Sequence, residues 1–202
     1  MFCLLAHHDA MTTFLEPADL AERLQSGGAA LFPTDTLVAL AALPQHAGQI
    51  WQLKQRPPDK PLILMGADLQ QLLQHTPGVH WPPQALELAA RHWPGALTLV
   101  LPATGALMQC LNPGGESLGL RVPACPMTQA LLQLSGPLAT TSANGSGEPA
   151  ATTAAEAAAS FAASGVPLLG PEPWPEPSGQ ASTVVAWLNS NWQVLRAGSV
   201  QV

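Results

Sequence analysis

The sequence predicts an α/β fold in which one mixed sheet is flanked by helices. Short apolar segments alternate along the chain with segments whose apolar residues recur at helical spacing. The 21 Pro and 17 Gly residues stand between these segments, where they end elements without forming a low-complexity tract. The chain has 202 residues and is 47% hydrophobic, which is enough for a single buried core. We therefore expect one domain over residues 15–202, preceded by an N-terminal extension over 1–14 for which disorder is one interpretation.

Helices are predicted where apolar residues share a face and turn residues bound the segment. The first begins at Pro17, places Leu20 and Leu24 on one face, and ends before Gly27. The last is an Ala-rich helix that Thr152 or Thr153 would cap. The predicted helices cover residues 17–26, 45–55, 68–75, 83–92, 126–134 and 152–163.

Strands are predicted at short apolar runs and at runs that alternate polar with apolar residues. The two segments near the C-terminus predict a hairpin that turns at Asn189 and Ser190, after a Pro-rich loop over 170–181. The predicted strands cover residues 29–33, 36–43, 61–65, 96–102, 117–123, 137–144, 182–188 and 191–197, with 137–144 running into a loop.

The charge balance and the cysteines limit the classes of function. The net charge of −6 disfavours tight, sequence-independent binding of nucleic acid, because such binding needs a basic surface. No apolar run approaches the roughly 20 residues of a membrane-spanning helix, and the first residues lack the basic flank of a signal peptide. The three cysteines are far apart and have neither zinc nor disulfide spacing. We therefore expect a cytoplasmic protein with no membrane contact.

The scarce positive charges stand at the ends of predicted elements. Lys54, Arg56 and Lys60 fall within one Pro-rich segment, while Arg121 and Arg196 end two predicted strands. Element ends are where α/β proteins commonly build ligand sites. The pattern favours a site for a polyanion such as a nucleoside triphosphate, and ordinary surface ion pairs are the alternative.

Common nucleotide and hydrolase motifs are absent from the sequence. There is no GxxxxGK[ST], no GxGxxG after a strand, no HExxH and no GxSxG. The six histidines share no helical spacing suited to a metal, so no metal ligand is predicted among the side chains. A nucleotide bound here would be bound without a P-loop.

Four segments in order resemble the YrdC-like family. They are FPTDT (32–36), LKQRPPDKPLIL (53–64), WPGALTLVLPA (93–103) and LGLRVPACP…PLATTSANGSGEP (118–149). The family hallmark is a Lys-x-Arg pair followed much later by Ser-x-Asn, and here these are Lys54-Gln55-Arg56 and Ser142-Ala143-Asn144. The resemblance spans roughly residues 15–200 and is strongest to the short, single-domain bacterial form.

The resemblance implies a YrdC/RibB-like domain whose twisted sheet carries a large open cleft. It also implies an L-threonylcarbamoyladenylate synthase, which converts L-threonine, bicarbonate or CO₂, and ATP with Mg²⁺ into threonylcarbamoyl-AMP and pyrophosphate. The product serves threonylcarbamoyladenosine formation in tRNA, so the implied partner is a downstream threonylcarbamoyl-transferase complex. The Mg²⁺ would be held by phosphates and water.

The resemblance also implies roles for individual residues. Lys54 and Arg56 are the implied catalytic residues, and Arg121 is the implied bidentate clamp for the threonine carboxylate. The implied ATP-binding residues are Lys54, Arg56, Lys60, Ser117, Ser142, Asn144 and Arg196. The implied threonine-binding residues are Thr36, Arg121, Thr140 and Ser182. A turn-capping role for Ser142 and Asn144 is the alternative.

The chain departs from the family pattern in two places. The family commonly continues after PTDT with a Val-Tyr-Gly-Leu-Gly type run, whereas this chain has Leu37-Val38-Ala39-Leu40-Ala41. Met65 stands where some members have His at the end of a strand. The Leu37–Ala41 departure leaves open a paralogue with an altered substrate. A separate alternative is a double-stranded RNA-binding or ribosome-maturation factor of the same fold, and a weak contact with tRNA or double-stranded RNA is a further expected partner.

Overall fold

A computed structural model describes residues 12–55, 57 and 60–202. The strands are β1 (Phe14–Leu15), β2 (Ala29–Phe32), β3 (Ala39–Ala42), β4 (Ile63–Met65), β5 (Leu97–Pro102), β6 (Ser117–Arg121), β7 (Leu138–Ser142), β8 (Leu168–Leu169), β9 (Thr183–Leu188) and β10 (Asn191–Arg196). The helices are α1 (Pro17–Gln25), α2 (Gly48–Leu53), α3 (Leu69–His75), α4 (Pro83–His92), α5 (Ala106–Leu111), α6 (Pro126–Ser135) and α7 (Ala154–Ser160).

The ten strands form one mixed sheet in the order β1-β8-β2-β3-β7-β4-β6-β5-β9-β10. Five neighbouring pairs are antiparallel, namely β2–β3, β3–β7, β4–β7, β5–β6 and β9–β10. The pairs β1–β8, β2–β8, β4–β6 and β5–β9 are parallel. The predicted α/β class with a mixed sheet flanked by helices is confirmed.

Helices cover the two faces of the sheet unequally. Five helices (α2, α3, α4, α5 and α7) contribute side chains such as Ile50, Leu88 and Leu111 to the core on one face. On the other face, α1 and α6 pack Leu24 and Leu131 into a second core, which covers one side of the sheet. The rest of this second face, from β7 toward β10, carries the cavity described below.

The predicted helix starts follow from local chemistry. Proline occupies the first turn of α1, α4 and α6, where its missing N–H costs no hydrogen bond. Thr153 caps α7 and forms a capping box with Glu156. The predicted helix 152–163 is wrong at its end, because α7 stops at Ser160 and a short 3-10 turn follows over 162–164.

The second predicted strand, 36–43, is wrong at its start. Residues 36–38 precede β3, which begins only at Ala39. The Thr34 hydroxyl accepts the N–H groups of Thr36 and Leu37 and donates to the Leu37 carbonyl at 2.6 Å. Because these hydrogen bonds form a turn, the chain does not join the sheet before β3 begins at Ala39.

Three short elements were not predicted. Strands β1 and β8 have two residues each and pair with each other, so only tertiary contact defines them. Helix α5 has six residues, too few to give a helical pattern. Phe14 belongs to β1 and therefore joins the sheet from inside the predicted 1–14 extension, whose residues 1–11 lie outside the described part. The domain boundary itself stays a prediction.

The C-terminal hairpin forms where it was predicted. Asn189 and Ser190 have φ values of 50° and 61°, which match the type I′ turns that join tight hairpins. Over the described ranges, the structure contains no helix of the length and apolarity that a membrane crossing requires.

Candidate active site

The open part of the second face forms a cavity of about 400 Å³. Ligand pockets for small molecules are usually about 300–1,000 Å³. The cavity is lined by residues of β3, β7, β4, β6 and β10 and by the loops that follow β2 and β7. Its walls include most of the predicted site residues, namely Thr36, Thr140, Ser142, Asn144, Arg121, Ser182 and Arg196.

Sheet register explains why distant residues meet in this cavity. Ile63 pairs with Thr140 on β7 and with Gly119 on β6, so the three residues lie side by side across the three strands. Two residues further along β4 and β6, Met65 pairs with Arg121. Because side chains alternate between faces along a strand, Ile63, Met65, Arg121 and Thr140 reach the same cavity.

Arg121 is buried at the end of β6 and its guanidinium is held from three sides. Its Nε donates to the Gly95 carbonyl at 3.1 Å, Nη1 donates to Thr36 Oγ1 at 2.8 Å, and Nη2 donates to Asp35 Oδ1 at 2.7 Å. A guanidinium has five N–H donors, so these bonds leave two for a ligand in the cavity. Two N–H groups can satisfy one carboxylate.

Arg121 and Arg196 are close enough to influence each other. Burial lowers the pKa of Arg121, Asp35 raises it through charge and hydrogen bonding, and the charge of Arg196 lowers it further. Burial also lowers the pKa of Arg196, which is more exposed. Two guanidinium groups on one cavity repel each other, so an anion between them is favoured.

Arg196 is tied to the segment that enters β9. Its Nε donates to the Ser182 carbonyl at 3.0 Å and its Nη2 to Ser182 Oγ at 3.1 Å. Ser182 Oγ also lies 2.9 Å from the hydroxyl of Thr98 on β5. These polar contacts hold the Arg196 guanidinium at the wall of the cavity.

The Lys-x-Arg and Ser-x-Asn motifs meet behind the cavity wall. The buried ammonium of Lys54 donates to the Ser142 carbonyl at 2.6 Å and to Asn144 Oδ1 at 2.8 Å. Lys54 therefore lies against the Ser-x-Asn motif, and its role in ATP binding stays a prediction. Lys54 does not itself line the cavity, but it holds Ser142 and Asn144, which do.

Asn144 organises the loop that follows β7. Its Oδ1 also accepts the Ser142 hydroxyl at 2.7 Å, and its Nδ2 donates to the Glu148 carbonyl at 2.6 Å. The Glu148 carboxylate accepts the Gly145 N–H at 3.2 Å. The loop is thus folded back on itself, which matches the turn-forming alternative for Ser142 and Asn144 and leaves both residues on the cavity wall.

Thr36 and Thr140 are placed by hydroxyl contacts. Thr36 Oγ1 accepts from Arg121 and lies 3.0 Å from Thr34 Oγ1. Thr140 Oγ1 donates to the Ile63 carbonyl across the β4–β7 pair at 3.0 Å. Both hydroxyl oxygens keep lone pairs that a ligand donor can use.

Among the described side chains, the predicted ATP-binding residues Lys54, Lys60 and Ser117 do not line the cavity. Lys60 is exposed, and its carbonyl accepts the indole N–H of Trp51. Ser117 begins β6 and lies four residues before Arg121, about 13 Å along the strand. Arg56 lies outside the described residues. Their roles stay predictions.

Asp35 and Glu148 are site residues to which sequence reasoning assigned no role. Asp35 lies inside the FPTDT segment, and its partner Arg121 is 86 residues away. The available signal was a carboxylate directly after a short buried strand, where ligand sites form. Glu148 lines the cavity from the loop that follows Ser142.

The departure at Leu37–Ala41 is accommodated by a regular strand. Ala39 and Ala41 are fully paired in β3, with β2 on one side and β7 on the other. Neither alanine has a positive φ, so the conformational freedom of glycine is not needed there. The departure instead places the Ala39 methyl group, with Leu37 and Met65, on the cavity wall.

The cavity offers little to bind a metal directly. Within the described part of the chain, no three His, Cys, Asp or Glu side chains form a cluster that could hold a metal ion. Glu148 is the carboxylate on the cavity wall, as far as the described residues go. This donor set fits a Mg²⁺ ion that arrives with triphosphate and keeps mostly phosphate and water ligands.

The chain is similar to one family model and to two proteins that share one name. The model of the Sua5, YciO and YrdC family, described as "Telomere recombination", matches residues 22–198. The threonylcarbamoyl-AMP synthase of Bacillus subtilis (strain 168) is 39% identical over 142 residues, covering 68% of this chain and 40% of that protein. The threonylcarbamoyl-AMP synthase of Pyrococcus abyssi is 37% identical over the same length, covering 68% and 41%. The chain thus spans about two fifths of the length of these relatives.

Solved structures share the fold. The crystal structure of P. abyssi Sua5 complexed with L-threonine has a TM-score of 0.82 and 32% identity, covering 90% of this chain and 54% of that one. The E. coli YciO structure has a TM-score of 0.80 at 23% identity, covers 95% and 98%, and supports the fold alone. The match over residues 22–198, together with these relatives, shows that the chain belongs to the Sua5/YciO/YrdC family.

Proposed function

We propose that the chain is an L-threonylcarbamoyladenylate synthase, a nucleotidyltransferase that makes threonylcarbamoyl-AMP from L-threonine, bicarbonate or CO₂, and ATP. The observation that carries the proposal is one cavity on which Arg121 and Arg196 converge beside the hydroxyls of Thr36, Thr140 and Ser182. Two relatives are named threonylcarbamoyl-AMP synthase, and a solved relative holds L-threonine. Together these support a site for a small hydroxylated amino acid.

L-Threonine would bind at the Arg121 end of the cavity. The two remaining N–H donors of Arg121 suit one carboxylate. The hydroxyl oxygens of Thr36 and Thr140 offer acceptors for the ammonium or hydroxyl of the substrate. Ile63 and Met65 supply apolar wall for its methyl group.

ATP would bind along the loop that follows β7. Ser142, Asn144 and Arg196 line the cavity there, and Lys54 adds positive charge directly behind the loop. Arg56, Lys60 and Ser117 would complete the triphosphate site, as the family resemblance implies. This arrangement provides the alignment and charge neutralisation on which nucleotidyl transfer depends.

The reaction would take place between the two substrates bound in the cavity. An oxygen of the N-carboxylated threonine attacks the α-phosphorus of ATP, a new O–P bond forms, and the bond to the β-phosphate oxygen breaks. Pyrophosphate leaves with the electron pair of that bond. Arg196 and Lys54 would stabilise the negative charge that develops on the phosphates, while Arg121 keeps the amino acid in place. Bound Mg²⁺ would supply further neutralisation of phosphate charge.

The cellular context is part of the same proposal. The product would pass to a threonylcarbamoyl-transferase complex that modifies tRNA in the cytoplasm. A weak contact with tRNA or double-stranded RNA stays a prediction, against which the net charge of −6 counts.

Pyrophosphate release tests the proposal. The purified chain is incubated with ATP, Mg²⁺, bicarbonate and L-threonine, and each component is omitted in turn. We expect release that requires all of them, with threonylcarbamoyl-AMP identified by mass. Release of no pyrophosphate with L-threonine, in protein shown to be folded, would contradict the proposal.

A synthase with a different small amino acid is the second candidate. It is favoured by Ala39 and Met65, which shape the cavity wall at positions where the family pattern differs. Calorimetric titration of L-threonine against L-serine, with a nonhydrolysable ATP analogue present, separates the two. Tighter binding of L-threonine supports the first candidate, and tighter binding of L-serine supports the second.

A further inference from the structure

Asp35 forms the one salt bridge found among the described side chains. Its Oδ1 lies 2.7 Å from Arg121 Nη2, and the same oxygen accepts the Ala124 N–H at 3.0 Å. Both side chains are largely withdrawn from solvent. A buried ion pair of this kind is weak evidence for stability, because desolvation offsets much of the attraction. Stability alone therefore does not explain why the Arg121–Asp35 ion pair is present.

Asp35 does not line the cavity, whereas Arg121 does. Asp35 therefore contacts the guanidinium on the side away from the ligand. Together with the Gly95 carbonyl and Thr36 Oγ1, it fixes the plane of the guanidinium and so determines which two N–H groups face the cavity. A guanidinium without this third contact could rotate about its last side-chain bonds, and a two-pronged contact to a carboxylate depends on that orientation.

Two backbone hydrogen bonds hold the segment that carries Asp35. The Asp35 carbonyl accepts the Ser178 N–H at 3.0 Å, and the Thr36 carbonyl accepts the Gly179 N–H at 3.0 Å. The Pro-rich loop 170–181 is thereby fastened to the segment that carries Asp35. Displacement of the Asp35 backbone would require both of these contacts to shift.

Charge balance points in the same direction. Arg121 and Arg196 bring two positive charges to this end of the cavity, and Asp35 brings one negative charge. Because the Arg121–Asp35 pair is neutral as a whole, binding of a ligand carboxylate there depends on where the two remaining N–H groups of Arg121 point. The attraction between Asp35 and Arg121 offsets part of the repulsion between the two guanidinium groups.

We propose that Asp35 is a positioning residue that orients Arg121 for a single ligand carboxylate. The proposal deepens the proposed function and rests on it, since it takes Arg121 as the receptor for the amino-acid substrate. Asp35 acts through Arg121 and does not itself touch the substrate.

Binding of L-threonine and of L-threoninamide, which lacks the carboxylate, tests the inference by calorimetry. In Asp35→Asn, which keeps the shape and one acceptor oxygen but loses the charge that holds Arg121, we expect L-threonine to bind about 10–100-fold more weakly while L-threoninamide is affected less than about threefold. Binding of a nonhydrolysable ATP analogue should stay within about threefold of the wild type. Asp35→Glu keeps the charge on a longer side chain and should recover part of the loss.

The matched control is Asp68→Asn. Asp68 caps α3 through the Gln71 N–H and accepts from Gln133, away from the cavity, and Asn is also a good cap. This variant should bind all three ligands as the wild type does. If Asp35→Asn does not fold, Asp35→Glu carries the same comparison of the two ligands.

The outcomes separate this inference from the proposed function. Unchanged L-threonine binding in Asp35→Asn overturns the inference alone, and so does an equal loss for L-threonine, L-threoninamide and the ATP analogue. Selective loss of L-threonine binding, in a wild type that binds L-threonine but releases no pyrophosphate, supports the inference and overturns the proposed function. A wild type that binds no L-threonine overturns both.

Discussion

At the scale of single residues, the site depends on buried charges whose partners lie far away in sequence. Lys54 is the clearest case, because its ammonium holds the loop that carries Ser142 and Asn144. A buried charged donor with two acceptors contributes through both bonds, and its removal takes the charged partner from both acceptors. Lys54 therefore has a structural role as well as the catalytic one that the family resemblance implies.

Lys54→Ala should destabilise the fold by about 2–4 kcal/mol, because the Ser142 carbonyl and Asn144 Oδ1 lose their charged donor. Urea unfolding followed by circular dichroism measures the change. The matched variant Lys60→Ala removes an exposed side chain and should change stability by less than about 0.5 kcal/mol. Equal effects of the two substitutions would show that Lys54 does not support the loop.

The motifs predicted some residue contacts and missed others for a physical reason. The meeting of Lys54 with Asn144 was expected because the resemblance ties both motifs to one site. The contact of Asp35 with Arg121 was missed, because an Asp after a strand can equally cap a turn or face solvent. Only the β4–β6 register and the turn around Thr34 bring the two side chains together.

At the scale of elements, close backbone approach sets the ends of the site. The segment after β10 folds back on the start of β9, where the Thr183 hydroxyl accepts the N–H groups of Gly198 and Val200. A Cβ on Gly198 would lie 2.5 Å from the Ala181 carbonyl oxygen and 2.5 Å from the Thr183 nitrogen. Both neighbours flank Ser182, which holds Arg196.

Gly198→Ala should therefore cost about 1–3 kcal/mol, because backbone atoms must move to admit the methyl group. Thermal and urea unfolding measure the loss. Gly48→Ala is the matched control, since a Cβ there meets no atom within 4 Å and Ala favours helix α2. The account of the C-terminal segment would be contradicted by a Gly198→Ala variant as stable as Gly48→Ala.

The capping box of α7 predicts a dependence on pH. Hydrogen bonds from Thr152, aided by those from Thr153, lower the pKa of Glu156. A depressed pKa in the folded state adds stability above the ordinary pKa of a Glu side chain, and this stability is lost as the pH falls through the lowered value. Glu156→Gln should thus be less stable than the wild type at about pH 7, with the difference shrinking toward about pH 3. Urea midpoints at both pH values test this, and a constant difference would contradict it.

Elements were predicted where they carry their own pattern and missed where they do not. Helices α4 and α6 combine a proline start with a periodic apolar face, so their positions followed from local sequence. Strands β1 and β8 are two residues long and exist because they pair with each other. The start of β3 was misplaced because a side-chain turn at Thr34 interrupts an apolar run that reads as strand.

At the scale of the whole molecule, the sheet order creates the site. The site residues occupy β7, β4, β6 and β10 together with flanking loops. Strands β7, β4 and β6 are neighbours, and β5 and β9 separate β6 from β10, an order that no local pattern reveals. Helices α1 and α6 cover one part of the second face and leave the rest accessible. The class of the fold was therefore predictable from the sequence, while the position of the cavity on the sheet was not.

The central claim is that Arg121, on a cavity shared with Arg196, receives the carboxylate of a small amino acid. Calorimetric titration of L-threonine into the wild type, Arg121→Ala and Arg91→Ala tests it most directly. Arg91 contacts the Glu87 carbonyl on the exposed side of α4 and serves as the matched control. We predict that Arg121→Ala weakens binding by at least about 30-fold and that Arg91→Ala leaves it unchanged. Wild-type affinity in Arg121→Ala would contradict the account.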